Sequence, residues 1–189
     1  NNTNNNTNNN TNNNTNNNFL YLKYNNHNGI EKKIKIKCEY IIYINLIINM
    51  MDDFGITINS IINNEQDTIE INNMLVYSKN IKEKSIKIIL DLLEQILFLQ
   101  NNYNDYLQLL IQNIQKFKEN RKNKININSE YYVFIYQKLK EALLNNFKDE
   151  QENLDELLFI STEILNFSDF FYIPIIFEFM NQFISELIR

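Results

Sequence analysis

The hydrophobic pattern is most regular between residues 86 and 117, where it predicts two helices joined by a short turn. Apolar residues of the first helix recur at three- and four-residue steps: Ile86, Ile89, Leu90, Leu93, Ile96 and Leu97. The pattern stops at residues 100–102 and resumes after Asn104 with the same spacing. Asn80 with Glu83 has the spacing of a capping pair before the first helix. So short a connection favours folding the second helix back on the first.

Three more amphipathic helices are predicted downstream. Ser129 is placed to cap the third and Asn153 to cap the fourth, while Pro174 fits the first turn of the fifth. The predicted apolar stripe of the fourth helix comprises Leu154, Leu157, Leu158, Ile164 and Leu165. Residues 80–189 are therefore interpreted as a helical-hairpin domain, and the fold class as mainly α, with stacked antiparallel helical hairpins in an α-solenoid-like or helical-bundle arrangement.

The fifth helix is apolar on more than one side. Its main stripe comprises Ile176, Phe179, Met180, Phe183, Ile184 and Leu187, while Ile175, Phe177 and Ile188 lie off that stripe. The pattern stops without the polar outer face that a capping repeat needs for solubility. We therefore expect Ile175, Phe177 and Ile188 to form a partner face, and the chain to be a fragment of a larger protein.

Residues 30–79 have a mixed pattern. Ile34, Ile36, Cys38 and Tyr40 alternate with charged residues, as in a half-buried strand. The chain then becomes almost continuously apolar up to Met51, which favours a helix over residues 39–51 with Gly55 as its stop. Helix and strand both stay open for residues 30–51. A short strand near Ile69 and further short elements complete this region.

The first 29 residues are predicted to lack a core. Residues 1–18 repeat Asn-Asn-Asn-Thr without an apolar residue, so they cannot bury surface that would offset the entropy of ordering, and disorder is expected. Residues 19–29 are interpreted as a continuing loop. His27, in an Asn- and Gly-rich stretch, is expected to be a solvated surface residue.

Composition changes the weight of these patterns. The 38 Asn and 31 Ile, against two Gly and one Pro, indicate A/T-rich codon usage. Ile is therefore weaker evidence for strands than usual, and Asn clusters carry little chemical meaning. The net charge of −5 argues against a broad nucleic-acid-binding surface. The apolar run of residues 37–51 is too short for a membrane span, which needs about 20 residues.

The sequence lacks the motifs of the common catalytic, cofactor and metal sites. Two glycines cannot build a three-glycine dinucleotide fingerprint, and one Cys with one His cannot form a zinc site. A catalytic pair of Cys38 and His27 lacks an orienting third group. Asp53-Phe54-Gly55 matches the magnesium-binding tripeptide of protein kinases, but the other kinase motifs are missing, so a turn is favoured. We expect no catalytic residue, cofactor or metal.

The segment from Lys116 to Lys124 is the candidate anion contact. Its cations are Lys116, Lys118, Arg121, Lys122 and Lys124. They could contact phosphate or an acidic protein tail. The favoured alternative is that they complement the end of the second helix and continue into a solvated loop.

Alternating amphipathic helices joined by short polar turns over residues 80–189 resemble the HEAT and armadillo class of α-solenoids. That resemblance implies scaffolding, nuclear-transport or adaptor roles through a concave protein-binding surface. A plain helical bundle is the competing architecture.

The expected function is a non-catalytic protein–protein interaction or scaffold module, with a protein or further helical repeats as its partner. The alternative is an accessory or regulatory region of an enzyme whose catalytic domain lies elsewhere. A lone cysteine fits a reducing compartment, so an intracellular protein, cytoplasmic or nuclear, is expected.

Overall fold

The computed structural model describes residues 19–63, 75–122, 124–147 and 153–189. It is mainly helical, as predicted, with one small sheet. The α-helices of these residues are α1 Asn45–Asp53, α2 Ile58–Asn63, α3 Glu83–Asn102, α4 Asn104–Glu119, α5 Glu130–Leu144, α6 Leu154–Phe170 and α7 Pro174–Leu187; Cys38–Tyr43 and Asn145–Phe147 are 3-10 helices. The predicted disorder of residues 1–18 and the possible strand near Ile69 lie outside the described residues.

The sheet has the strand order β2-β1-β3, with β1 Phe19–Asn25, β2 Glu31–Lys37 and β3 Val76–Asn80. β1 pairs with β2 as an antiparallel hairpin and with β3 in parallel. Residues 19–25, interpreted from sequence as part of a loop, thus form the central strand. Leu20, Leu22 and Tyr24 are buried at every second position, the signature of a strand with one face on the core.

The β1–β2 turn is built around Asn26. Its side-chain oxygen accepts hydrogen bonds from the backbone N–H groups of Asn28 and Ile30, both at 3.0 Å. Gly29 adopts φ +75°, a left-handed conformation that glycine adopts without steric cost. His27 is exposed on this turn, as predicted, and its ring lies edge-on to Phe159 at 6.3 Å.

The single helix predicted over residues 39–51 is instead two elements. A 3-10 helix spans Cys38–Tyr43, Ile44 leaves the helical region with φ −104° and ψ 85°, and α1 follows. Gly55 is the helix stop that the sequence predicted: it has φ +67°, and the N–H of Ile56 donates to the carbonyl of Met51 at 2.9 Å. Residues 53–55 therefore form a helix terminus, consistent with the favoured turn.

α3 is the central helix of the described residues. It contacts the first 3-10 helix, α4, α5 and α6, and Ile88, Leu92 and Ile96 are fully buried. One non-helical residue, Tyr103, separates α3 from α4. Burial on several sides makes α3 the core around which the other helices pack.

The N-terminus of α3 is capped from a distance. Asn80 belongs to β3, so the predicted capping pair with Glu83 is wrong; the N-cap is Lys82, whose side chain makes no cap hydrogen bond. Instead, the backbone N–H of Lys82 donates to the Glu163 carboxylate of α6 at 2.9 Å. The acceptor that a helix N-terminus needs is thus supplied by tertiary structure.

The starts of the last three helices agree with the sequence analysis. Ser129 is the N-cap of α5, although its hydroxyl donates backwards to the Asn126 carbonyl at 2.7 Å. Asn153 caps α6 by accepting from the Asp155 N–H at 3.0 Å, and Pro174 opens α7. The predicted stripe of α6 is wrong in part. Leu154 is 55% exposed, and the buried apolar residues of α6 are Ile160, Ile164 and Phe167.

Contacts between helices that are distant in sequence tie the bundle together. α6 packs against α3 as well as α7, and α7 packs against α4 and α5. In a solenoid each repeat contacts only its neighbours, so these contacts favour the bundle arrangement, and solenoid-like stacking stays a prediction. No helix in the described parts of the chain is long and apolar enough to cross a membrane.

Candidate functional site: a cleft between α4 and α7

A cleft of about 290 Å³ lies where the C-terminal end of α4 meets the turn between α6 and α7. We call it the α4–α7 cleft. Its lining combines apolar and charged side chains: Ile114, Phe117, Ile173, Pro174 and Phe177 are apolar, Lys118 and Arg121 are cationic, Asp169 and Glu178 are acidic, and Ser168 and Tyr172 complete it. An apolar cleft with a few converging polar groups is typical of a binding site.

The two helices contribute to the cleft with the same spacing. α4 supplies Ile114, Phe117 and Lys118, and α7 supplies Pro174 and Phe177 followed by Glu178. Positions i, i+3 and i+4 lie on one side of a helix. Each helix therefore presents two apolar side chains and one charged side chain, and the charges are opposite.

The Glu178 carboxyl is half-buried. Its burial raises the pKa above the ordinary value, and the positive charge of Lys118 partly opposes that shift. Opposite charges that are partly removed from water interact more strongly than they do on an open surface. Lys118 and Glu178 thus place opposite charges in the lining of one cleft.

Tyr172 is the residue of the cleft with an unusual backbone. It follows the C-terminus of α6 with φ +50°, and the N–H of Ile173 donates to the carbonyl of Ser168 at 2.8 Å. The left-handed conformation costs a residue with a side chain about 1–2 kcal/mol. At the equivalent stop after α1 the chain has Gly55, and Asn, which also tolerates this conformation, is abundant in this chain.

The Tyr172 side chain is 55% exposed at the edge of the cleft. Its backbone is held by the fold, since the Tyr172 carbonyl accepts a hydrogen bond from the Asn45 N–H at 3.0 Å. An exposed aromatic side chain on a strained backbone is not explained by core packing. Strained positions of this kind are concentrated at functional sites.

A second cavity of about 210 Å³ adjoins the cleft and shares Ile114, Lys118 and Pro174 with it. We call it the adjoining pocket. Tyr43 is buried in its lining, and the Tyr43 hydroxyl has no hydrogen-bond partner among the described residues. Burial raises the Tyr43 pKa to about 12, so this hydroxyl stays protonated. A buried hydroxyl without a partner is uncommon in folded proteins.

The predicted partner face on α7 does not exist as one surface. Ile175 is 4% exposed and belongs to the core, Phe177 is half-buried in the cleft, and Ile188 is 67% exposed near the end of the helix. Phe177 and Ile188 are eleven residues apart and share a side of α7, whereas Ile175 lies on the opposite side. The candidate face is therefore corrected to exclude Ile175.

The candidate anion contact is divided by the fold. Lys118 and Arg121 line the cleft, whereas the other three cations, Lys116, Lys122 and Lys124, are exposed outside that lining. Lys116 and Lys118 lie in the last turn of α4, where positive charge complements the helix dipole, as the favoured alternative proposed.

The cations of this segment also differ from other lysines in their pairing. Within the described ranges, none of the five makes an ion pair. By contrast, Lys37 pairs with Glu94 at 2.8 Å, and Lys140 pairs with Glu186 at 3.4 Å. Among the described residues, the positive charges of the segment are therefore not neutralised by direct ion pairs, although Lys118 acts on Glu178 as a nearby charge.

The residues considered for reaction chemistry are not assembled. Cys38 and His27 flank opposite ends of the β1–β2 hairpin, which for seven-residue strands means a separation of roughly 20 Å. Burial, with a smaller contribution from Glu39, raises the Cys38 pKa to about 11, so the thiol is protonated at neutral pH. Among the residues that the structure describes, no group of three or more His, Cys, Asp or Glu could hold a metal ion.

Sequence reasoning found part of the cleft and missed the rest. Phe177, Lys118 and Arg121 were singled out for separate reasons, and the fold brings them together. Tyr172 was missed because a helix stop without Gly or Asn leaves no local signal, and Glu178 because a single carboxylate within a helix does not show which residues it meets. Comparison of the chain with protein-family models, with curated proteins and with solved structures finds no match.

Proposed function

We propose that this protein is a non-catalytic protein-binding module whose binding surface is the α4–α7 cleft. The observation that carries the proposal is Tyr172. Its aromatic side chain is kept exposed beside an apolar cleft at a backbone position where glycine or asparagine would be less strained. Tyr is among the residues that contribute most to binding energy in protein interfaces.

The size of the cleft supports a polypeptide ligand. Pockets for drug-sized molecules measure about 300–1,000 Å³, so a cleft of about 290 Å³ is at the lower limit for them. It suits one or two side chains of a segment that continues across the surface. The adjoining pocket extends the same surface past Lys118 toward the first 3-10 helix.

The test is selection from an unbiased library of displayed peptides on the full chain, followed by affinity measurement for the selected peptides. Tyr172→Asn removes the aromatic ring and keeps a residue that tolerates the left-handed conformation. We expect it to weaken binding roughly tenfold, as expected for an aromatic hot spot. The control is Phe54→Ala, which removes an aromatic side chain that is 65% exposed at the end of α1 and lines neither the cleft nor the adjoining pocket.

Thermal unfolding of both variants confirms that they are folded before binding is compared. The proposal is supported if the selected peptides lose affinity for Tyr172→Asn and keep it for Phe54→Ala. It is refuted if no peptide is enriched, or if both variants bind the enriched peptides as the wild-type chain does.

A further inference from the structure

We infer that the partner of the α4–α7 cleft is an acidic polypeptide segment carrying a bulky apolar residue, which enters the cleft while neighbouring carboxylates meet Lys118 and Arg121. This inference rests on the proposed function and specifies the chemistry of the partner.

The charge around the cleft is opposite to that of the chain. The whole chain has a net charge of −5. The segment of residues 116–124 has five cations and Glu119, and the cleft adds Asp169 and Glu178. The cleft lining has two cations and two carboxylates, and the positive excess comes from Lys116, Lys122 and Lys124 beside it, against Glu119. None of these cations makes a direct ion pair among the described residues, and Lys118 interacts with Glu178 only as a nearby charge.

The N-terminus of α7 adds to the attraction. No side chain caps it, and its first turn contains no acidic residue. Pro174, its first residue, lines both cavities together with Lys118. A helix N-terminus carries partial positive charge, and this charge favours a carboxylate nearby. The N-terminus of α7 and the two cleft cations therefore act in the same direction, against the partial negative charge at the C-terminal ends of α4 and α6.

The apolar side chains of the cleft indicate that the partner inserts a large apolar residue. Phe117 and Phe177 line the cleft from α4 and α7, and the buried Ile114 and Ile173 also belong to its apolar lining. These side chains provide apolar and aromatic surface but few hydrogen-bonding groups. Burying one large apolar side chain stabilises a complex by about 1.5–3 kcal/mol, and this supplies affinity that exposed charges alone do not.

The acidic groups of the cleft favour a polypeptide over a nucleic acid. Asp169 and Glu178 can accept hydrogen bonds from the backbone N–H groups of a peptide. Both carboxylates repel a phosphodiester backbone as they repel the carboxylates of an acidic peptide, but the phosphodiester backbone has no N–H donor to offset this repulsion. A mixed lining of two cations and two carboxylates thus fits an acidic peptide better than a polyphosphate chain.

The test is charge reversal in the same displayed-peptide selection. We expect the wild-type chain to enrich peptides rich in Asp and Glu that contain a large apolar residue. The double variant Lys118→Glu with Arg121→Glu should weaken their binding at least tenfold and should enrich basic peptides instead. The matched control, Lys33→Glu with Lys79→Glu, changes the same charge on two exposed lysines of the sheet and should retain the acidic preference.

A variant that changes one charge of the cleft independently tests whether the partner is negatively charged. Glu178→Gln removes a negative charge from the cleft and should strengthen binding of the enriched acidic peptides about two- to fivefold, most at low salt. If the selected peptides are neutral or basic, the inference is overturned, while the proposed function stands. If no peptide is selected, both fail. Tight binding of a labelled single-stranded RNA that Lys118→Glu with Arg121→Glu abolishes would also overturn the inference, in favour of nucleic acid.

Discussion

Tyr172 provides the most direct thermodynamic test of the structure, because its backbone conformation predicts an unusual order of stability for the alanine and glycine variants. In most positions, replacing a side chain by glycine is worse than replacing it by alanine, since glycine loses more conformational freedom on folding. At Tyr172 the order should reverse. The left-handed φ of +50° brings an added Cβ close to the following carbonyl, and glycine avoids that contact.

The magnitude follows from two opposing contributions. The left-handed conformation costs about 1–2 kcal/mol for a residue with a Cβ, and the extra flexibility of unfolded glycine returns about 0.5–1 kcal/mol of this. Tyr172→Gly should therefore be more stable than Tyr172→Ala by about 0.5–1 kcal/mol. Both variants lose the same aromatic ring, so the difference between them isolates the backbone contribution. For a chain of this length it corresponds to roughly 1–4 °C in the midpoint of thermal unfolding.

Gly55 provides an independent measurement of the cost of a Cβ in the left-handed conformation. It occupies the equivalent helix stop at φ +67°, and a Cβ added there would meet no atom within 4 Å. Gly55→Ala should therefore lower the free energy of unfolding by the same amount, about 0.5–1 kcal/mol, for the same reason. Urea unfolding of the four chains (wild type, Tyr172→Ala, Tyr172→Gly and Gly55→Ala) measures both differences. If Tyr172→Ala is at least as stable as Tyr172→Gly, Tyr172 is not held in the left-handed region. The argument that the Tyr172 side chain is kept for binding despite backbone strain then fails.

Three further outcomes are expected from buried and capping groups. Ser161→Ala should raise the free energy of unfolding by about 1 kcal/mol, because the buried Ser161 hydroxyl has no hydrogen-bond partner among the described residues; a loss of stability would contradict this. Glu163→Ala should lower it by about 1–2 kcal/mol by leaving the Lys82 N–H without an acceptor, and Glu163→Gln, which keeps an acceptor, should lower it less. Hydrogen bonds from Lys37 and Tyr40 hold the Glu94 pKa below its ordinary value of 4.5, so the stability they provide is lost as the pH falls below 4.5; Glu94→Gln should flatten this part of the pH–stability profile.

The helices could be predicted from the sequence because their burial is periodic. Ile86, Ile89 and Leu93 repeat at helical spacing, and all three are buried in α3. The end of α1 was equally readable, since Gly55 is a residue type with a strong preference for that position. Where a regular hydrophobic spacing or the preference of one residue type determines the local structure, that structure can be predicted from a single sequence.

The starts of α1 and α3 could not be predicted, because their hydrogen-bond partners are distant in sequence. The N–H of Lys82 is satisfied by Glu163, 81 residues away. The break at Ile44 separates the first 3-10 helix from α1, whose first N–H groups donate to carbonyls of the α6–α7 turn. No local pattern encodes such caps. The central strand β1 is a different case: it begins with four consecutive apolar residues, Phe19 to Leu22, so its alternating burial was not visible in the sequence.

The α4–α7 cleft also combines features that have a local sequence signal with features that depend on contacts between distant residues. Its charges were visible as a cluster in residues 116–124, and Phe177 was noticed as apolar surface outside the main stripe of its helix. Nothing in the sequence showed that these residues meet, since α4 and α7 are separated by two intervening helices. Ile175 was misassigned for a related reason. The apolar pattern of α7 does not show which of its sides contacts α4 and α5 and which is left to a partner.

The anchoring of the α6–α7 turn decides how the cleft should bind. Leu46 and Asn45, at the start of α1, donate hydrogen bonds to the carbonyls of Phe171 and Tyr172 at 3.2 and 3.0 Å. Phe171 and Ile173, on either side of Tyr172, are buried in the core. The strained residue is therefore fixed by contacts on both sides, and its conformation belongs to the folded state before any ligand arrives. A surface formed in this way loses little conformational entropy on binding. The cleft should accordingly bind as a preformed site, with the ordering cost carried by the partner segment.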